Sequence, residues 1–233
     1  TNLVYVAIDT TPPVITVPSD VTQEATGPLT SAMPGAATAI DAVDGSVTVT
    51  NNATANYLVG TTTIQYSATD LAGNTATAYS KVTIADTTPP ALQLPTEITV
   101  QATGPSGATV SYKANATDLV DGPVTPVCST PSGNTFAYGN TTVTCTATDI
   151  HGNKATGTFD VNVQNKIPPE LSIASPNNNA IINTATVQVS GTASDVVSVS
   201  AISWKVDSGA VSVVSAVTPG PNVIWSFATG ALS

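Results

Sequence analysis

A chain of 233 residues is too long for one small β-sandwich and suits two or three domains. Hydrophobic residues make up 41% and aromatics only 5%, which argues against disorder and for thin cores of small branched side chains between stacked sheets. Five Lys+Arg against fifteen Asp+Glu give a formal charge of -10, which excludes nucleic acid and anionic membrane as partners and leaves metal cations as the natural counter-charge. No run approaches the roughly 18 apolar residues of a spanning helix, so no membrane insertion is expected within this segment.

In chain order, residues 1–8 form one apolar-rich strand without a domain of its own. Asp9-Thr10-Thr11-Pro12-Pro13 follows, recurs letter for letter at Asp86 to Pro90, and returns in weaker form as Asn165-Lys166-Ile167-Pro168-Pro169. Asp41-x-x-Asp44-Gly45 and Asp118-x-x-Asp121-Gly122 repeat in step, as do Asp70-x-x-Gly73-Asn74 and Asp149-x-x-Gly152-Asn153. The chain is therefore a duplication with modules at 9–85, 86–164 and 165–233. Ile64, Tyr66 and Ala68 alternate with Thr63, Gln65 and Ser67; Val143, Cys145 and Ala147 repeat the pattern. Val82 with Ile84, and Phe159, Val161 and Val163, mark closing strands. The reading is all-β: tandem immunoglobulin-like sandwiches in an elongated array.

Strand direction then places the acidic loops. A single strand A through Ile15, Val17 and Val21 runs away from the linker, and strand B from Ala36 to Ile40 returns, so the Asp41 to Gly45 turn lies at the starting pole. The closing strand has to end at the far pole to feed the next module, which puts Asp70 to Asn74 at the starting pole too. Asp9, Asp41, Asp44, Asp70 and Asn74 are predicted to converge, and likewise Asp86, Asp118, Asp121, Asp149 and Asn153. Clustered carboxylates raise one another's pKa, a cost that a cation removes, and oxygen ligands of this kind suit Ca²⁺. Turn formation by Asp-Gly and Gly-Asn is the plainer alternative.

Cys128 and Cys145 both lie in the second module, where a disulfide would close a loop of about 17 residues; two buried thiols or a reactive pair are the alternatives. Asn51 and Tyr66 hold the matching places in the first module. His151, the lone histidine, stands where the first module has Ala72, and is expected to be a solvent-facing turn residue. No nucleophile and base are tied together by spacing, so no enzyme is expected. Asn52, Asn115 and Asn140 fit the N-glycosylation tripeptide. Trp204 and Trp225 fall in alternating stretches of the third module and are expected to fill its core.

The Asp-Thr-Thr-Pro-Pro opening, Gln101-Ala102-Thr103-Gly104-Pro105, Ala116-Thr117-Asp118-Leu119-Val120-Asp121-Gly122 and Cys145-Thr146-Ala147-Thr148-Asp149-x-x-Gly152-Asn153 together resemble the hyalin repeat (HYR) domain over residues 9–164. The first module departs by lacking the cysteines and by Glu24 in place of Gln101. The third module, with Ser190 to Asp195 and Trp204 to Asp207, is similar to bacterial or archaeal immunoglobulin-like repeats of large adhesins. The resemblance implies an extracellular structural or adhesive protein: a stalk, pilus-like fibre, surface layer or adhesin shaft. It also implies calcium at the module junctions, carried by Asp9 with Asp70 and by Asp86 with Asp149, and at the third junction, where Asn165 replaces the aspartate, it implies none. An adhesive module for glycan or protein, centred on the third domain, is the alternative. That third module stops short of a closing hairpin, so its partner is expected to be an adjoining module of a longer chain, with residues 1–8 as the closing strand of a preceding module, or else a further copy, whose residues 1–8 would complete it by strand addition.

Overall fold

Alternating burial organises each repeat. The computed structural model describes residues 8–205, 212–214 and 218–229. In the first repeat the strands are β1 (Val14–Thr16), β2 (Val21–Glu24), β3 (Thr30–Ser31), β4 (Thr38–Asp41), β5 (Gly45–Val47), β6 (Val49–Asn51), β7 (Asn56–Tyr57), β8 (Gly60–Thr69) and β9 (Thr75–Ala85). They form sheets in the orders β1-β4-β5 and β2-β9-β8-β6, with β3 paired to β7. Ile64, Tyr66, Val82 and Ile84 turn into the space between the sheets, where Tyr57, Ala25 and Ala32 close the core. Thr63 and Gln65 face outward, as a period of two requires.

The second repeat copies this plan in β10 (Ala91–Gln93), β11 (Glu97–Gln101), β12 (Ala108–Thr109), β13 (Asn115–Asp118), β14 (Gly122–Val124), β15 (Val127–Cys128), β16 (Thr135–Phe136), β17 (Gly139–Thr148) and β18 (Lys154–Gln164). The sheet orders are again equivalent: β10-β13-β14, β11-β18-β17-β15 and β12-β16. The third module contributes β19 (Glu170–Ser175), β20 (Gln188–Val199), β21 (Ser203–Trp204), β22 (Ser212–Val213) and β23 (Gly220–Ala228), with β19-β20-β23 as its main sheet. Trp225 is buried there with Ala193, Ile202 and Val223. Trp204 is half-buried and stacks on Phe227 at a centroid distance of 4.3 Å. Gly191 faces Trp225 across β20 and β23, and a Cβ there would stand 2.0 Å from the Ser172 carbonyl oxygen.

The single strand A of the sequence reading is in fact two strands in different sheets. β1 pairs antiparallel with β4, whereas β2 pairs parallel with β9 in the opposite sheet. Pro18 lies between them; with no N–H to donate, it ends the first ladder and lets the chain cross over. Both segments still lead away from the linker. Residues 1–7, and with them the closing or donor strand expected over 1–8, lie outside the described residues, apart from Ile8.

The two repeats fill the same core position with opposite volumes. Asn51 pairs with Tyr66, and Cys128 with Cys145, in the same register. The large Tyr66 is accommodated by the small Ser80, to which its hydroxyl is hydrogen-bonded at 3.3 Å. In the second repeat Phe159 replaces the serine, and the small cysteine takes the tyrosine's place, bonded to Cys128 as a disulfide. Total volume is kept while the chemistry changes.

By compactness the chain forms two units. One comprises the chain up to Leu92 with Ala116–Thr125 and Ala147–Ala155; the other comprises Gln93–Asn115, Pro126–Thr146 and the chain from Thr156 onward. The acidic loops of the second repeat thus belong to the first unit.

Candidate metal centres

Short hairpins build the acidic poles. In the first repeat Asp41 ends β4 and pairs with Gly45, whose φ of 77° is the left-handed conformation that a tight return needs. Oδ1 of Asp41 accepts the backbone N–H groups of Val43 at 2.7 Å and Asp44 at 3.0 Å. These bonds, that from Asp44 foremost and then that from Val43, hold the Asp41 carboxyl below its ordinary value against the opposing effect of burial. Asp44 Oδ2 accepts the N–H of Leu71 at 2.8 Å, which ties the β4–β5 turn to the β8–β9 turn.

Asp70 is clamped by Asn74: Oδ1 accepts the Asn74 backbone N–H at 2.7 Å, and Oδ2 accepts its side-chain amide at 2.8 Å. The same amide nitrogen donates to the Asp9 carbonyl oxygen at 3.3 Å, fastening the linker to the pole. Two acceptors facing one amide fix its orientation, since the flipped rotamer would oppose oxygen to oxygen. Asp9 Oδ1 accepts Thr11 N–H at 3.0 Å. One carboxylate oxygen from each of Asp9, Asp41, Asp44 and Asp70 lies within 4.8 Å of the others. In the same residues, Asp9 Oδ2 and Asp41 Oδ2 are buried with no hydrogen-bond donor.

The second repeat reproduces the frame. Asp118 Oδ1 accepts the N–H groups of Val120 and Asp121 at 2.7 and 3.0 Å, and Asp121 Oδ2 accepts that of Ile150 at 3.0 Å. Asn153 donates its side-chain amide to Asp149 Oδ2 at 2.9 Å and to the Asp86 carbonyl oxygen at 3.1 Å. Burial works to raise the Asp149 pKa, but the hydrogen bonds from the Asn153 side chain and from the backbone of the turn outweigh it and hold the carboxyl below its usual range. Asp86 Oδ2 and Asp118 Oδ2 are buried without a donor. The set of mutually close atoms differs from that of the first repeat: Asp86, Asp121, Asp149 and His151 belong to it, and Asp118 does not. His151 is not merely a solvent-facing turn residue, because its Nδ1 lies 3.1 Å from Asp86 Oδ2 and 3.2 Å from Asp121 Oδ2. Only the contact with Asp121 is aligned as a hydrogen bond.

The third pole is built without a linker carboxylate. Asn165 Nδ2 donates to Asp195 Oδ1 at 2.7 Å, while Asn165 Oδ1 accepts Ile167 N–H at 3.1 Å. Asp195 Oδ1 also accepts from Val197 and Ser198, matching the turn held by Asp41. A neutral amide donor fills the place of the unpartnered linker oxygen.

Five residues outside the candidates named from the sequence act at the junctions. Glu24 accepts Thr87 N–H and its hydroxyl, both at 2.8 Å, and the Thr88 hydroxyl at 2.9 Å. The Thr87 backbone bond first, then the two hydroxyls, lower the Glu24 pKa. Gln101 does the same work one repeat later, accepting Lys166 N–H at 3.1 Å and donating to Asn165 Oδ1 at 3.2 Å. The aligned Glu and Gln just before Ala-Thr-Gly-Pro were the available clue. Val120, inside the Asp118 to Asp121 turn, packs against the core of the first repeat, and Val196 and Val197 pack against that of the second.

Cys128 and Cys145 form the disulfide. Asn52 is exposed, and its Oδ1 accepts Gln65 N–H at 2.8 Å; Asn115 and Asn140 are exposed too.

Residues 8–84 and 85–163 match the HYR domain. The chain belongs to the HYR domain family. Its HYR pair is followed by a match to the Bacterial Ig domain over residues 169–231. The chain is 32% identical over 186 residues to Hyalin of Strongylocentrotus purpuratus, covering 75% of this chain and 16% of that protein. It is 33% identical over 183 residues to Hyalin of Lytechinus variegatus, covering 73% and 34%. The chain thus spans only a part of the length of these relatives. A crystal structure of the protocadherin gamma B4 extracellular domain aligns at 16% identity and a TM-score of 0.34 over 96% of this chain and 44% of the other, too slight a likeness to bear on the fold. HYR and bacterial Ig domains are non-catalytic structural modules, and the chain is an extracellular structural repeat segment.

Proposed function

We propose that this chain is a length of shaft in a surface or filament protein, such as a stalk, pilus-like fibre, surface layer or adhesin, and that calcium at the two acidic poles stiffens the junctions between modules. The observation that carries this reading is that Asp9, Asp41 and Asp86 each hold a buried carboxylate oxygen without an aligned donor and each belong to a group of side chains whose ligand atoms lie within 4.8 Å of one another. Crowded carboxylates repel one another, and a hard cation that takes six to eight oxygen ligands offsets that repulsion. Asp9, Asp41, Asp44 and Asp70 supply the first set. Asp86, Asp121 and Asp149 supply the second, with Asp118 buried outside that group; Asn74 and Asn153 act as clamps on Asp70 and Asp149.

The test is thermal unfolding of the full chain with chelator and with calcium, together with metal analysis of the dialysed protein. A calcium-dependent rise of the midpoint supports the reading. Equal midpoints and no bound metal sink it. Partners under this proposal are adjoining modules or further copies, and no helix of the described residues is long and apolar enough to cross a membrane.

A second reading assigns adhesion to the third module. It is supported by an apolar pocket of about 270 Å³ where Trp204 stacks on Phe227 beside Leu171, Ile173 and Trp225. Glycan-array binding that is lost in Trp204→Ala would favour it.

A further inference from the structure

The two acidic poles are not equivalent: the first gathers four carboxylates, and in the second a histidine nitrogen joins three, with Asp118 outside the group. Ala72 of the first repeat corresponds to His151 of the second, in turns otherwise alike. The His151 ring is turned inward, with Nδ1 at 3.1 Å from Asp86 Oδ2 and 3.2 Å from Asp121 Oδ2. The Asp86 side chain is wholly buried, and its Oδ2 has no aligned donor. With Asp149 these groups bring one nitrogen and three carboxylate oxygens within 4.8 Å of one another.

We propose that the second pole binds a borderline transition-metal cation of the zinc class through Nδ1 of His151 and the carboxylates of Asp86, Asp121 and Asp149, whereas the first pole, with oxygen ligands alone, does not discriminate in favour of such ions. Imidazole suits zinc, copper, iron and nickel, while a purely oxygen site suits calcium, magnesium and manganese. Neighbouring ligands on a tetrahedral zinc at about 2.0–2.1 Å stand about 3.3 Å apart. The two Nδ1 to oxygen separations of 3.1 and 3.2 Å already lie near that edge, and the remaining ligand atoms lie within 4.8 Å. The His151 side chain is 29% exposed, and Nδ1 is the ring nitrogen that faces the carboxylates, which makes it the ligating atom. This inference rests on the poles being cation sites.

The experiment is calorimetric titration of the chelator-stripped full chain with zinc ion and, separately, with calcium ion, read alongside the ring nitrogen resonances of His151. Because it is the one histidine in the sequence, those resonances report a single site. Tight zinc binding that shifts the Nδ1 resonance and weakens at least tenfold in His151→Ala, with calcium binding kept, is the expected result. That variant restores the residue of the first repeat, so its fold is safe; Ala72→His should in turn give the first pole zinc affinity. Zinc binding unchanged in His151→Ala, or an unmoved ring resonance, overturns the inference and leaves the calcium reading standing. Zinc bound at His151 without calcium at either pole supports the inference and removes the calcium reading; no binding of either cation removes both.

Discussion

Asp9→Asn separates the cost of crowded carboxylates from the gain of a bound cation. Two unit charges 4.8 Å apart repel by about 1 kcal/mol in water and about 3.5 kcal/mol at an effective dielectric constant of roughly 20. Replacing the Asp9 carboxylate by an amide removes its repulsion with three neighbours, and Oδ1 still accepts Thr11 N–H. The new Nδ2 takes the place of an oxygen that has no donor and offers a hydrogen bond worth about 1 kcal/mol. The third junction already uses this arrangement, with Asn165 donating to Asp195 at 2.7 Å. In chelator the variant is therefore expected to be more stable than the wild type by about 1–3 kcal/mol, a midpoint at least about 5 °C higher for a domain of this size. In calcium at a hundredfold excess over its dissociation constant the wild type gains about 2.7 kcal/mol, most of which the variant forgoes. The variant's advantage should therefore shrink or invert in calcium, as read by differential scanning calorimetry. A variant that is less stable in chelator, or that gains from calcium as much as the wild type, refutes the reasoning.

Other perturbations address the rest of the junction. Glu24 has a lowered pKa, so its hold on Thr87 and Thr88 is fully present above its ordinary value of 4.5 and is lost as pH falls through the lower folded value; Glu24→Gln, which copies Gln101, should flatten that acid limb in a pH series of thermal melts. Changing both Cys128 and Cys145 to serine should destabilise the second repeat by about 3 kcal/mol or more, seen as a lower denaturant midpoint for that transition alone. Val120→Ser removes an apolar side chain packed against the first core and should cost about 1–2 kcal/mol and raise proteolysis at the junction without altering Asp118 or Asp121. Gly191→Ala forces a methyl against the Ser172 carbonyl and the Trp225 ring and should lower the midpoint of the third module, with Trp fluorescence as the probe.

The repeat, the sheets and the poles could be read from one chain because each rests on local rules. A period of two in Thr63 to Ala68 decides which side chains turn inward. Gly45 and Gly122 mark where the chain reverses, and reversal sets strand direction. Direction in turn brings Asp41, Asp44 and Asp70 to one end, where Asp44 and Leu71 meet. None of this needs knowledge of a distant contact.

Contacts between elements far apart in sequence were decided only on folding. Pro18 shows that strand A is interrupted, but the pairing of Val21 with Val82 depends on which sheet edge is open. Whether Glu24 reaches Thr87 or points to solvent depends on that same parallel pairing, which ends next to the linker. His151 illustrates the limit most clearly: a histidine in a turn has no preferred partner in sequence, and only the approach of Asp86 and Asp121 from two other loops gives its Nδ1 something to face. Periodicity and turn chemistry are properties of neighbouring residues, so the sequence carried them; the meeting of three loops at one point is a property of packed sheets.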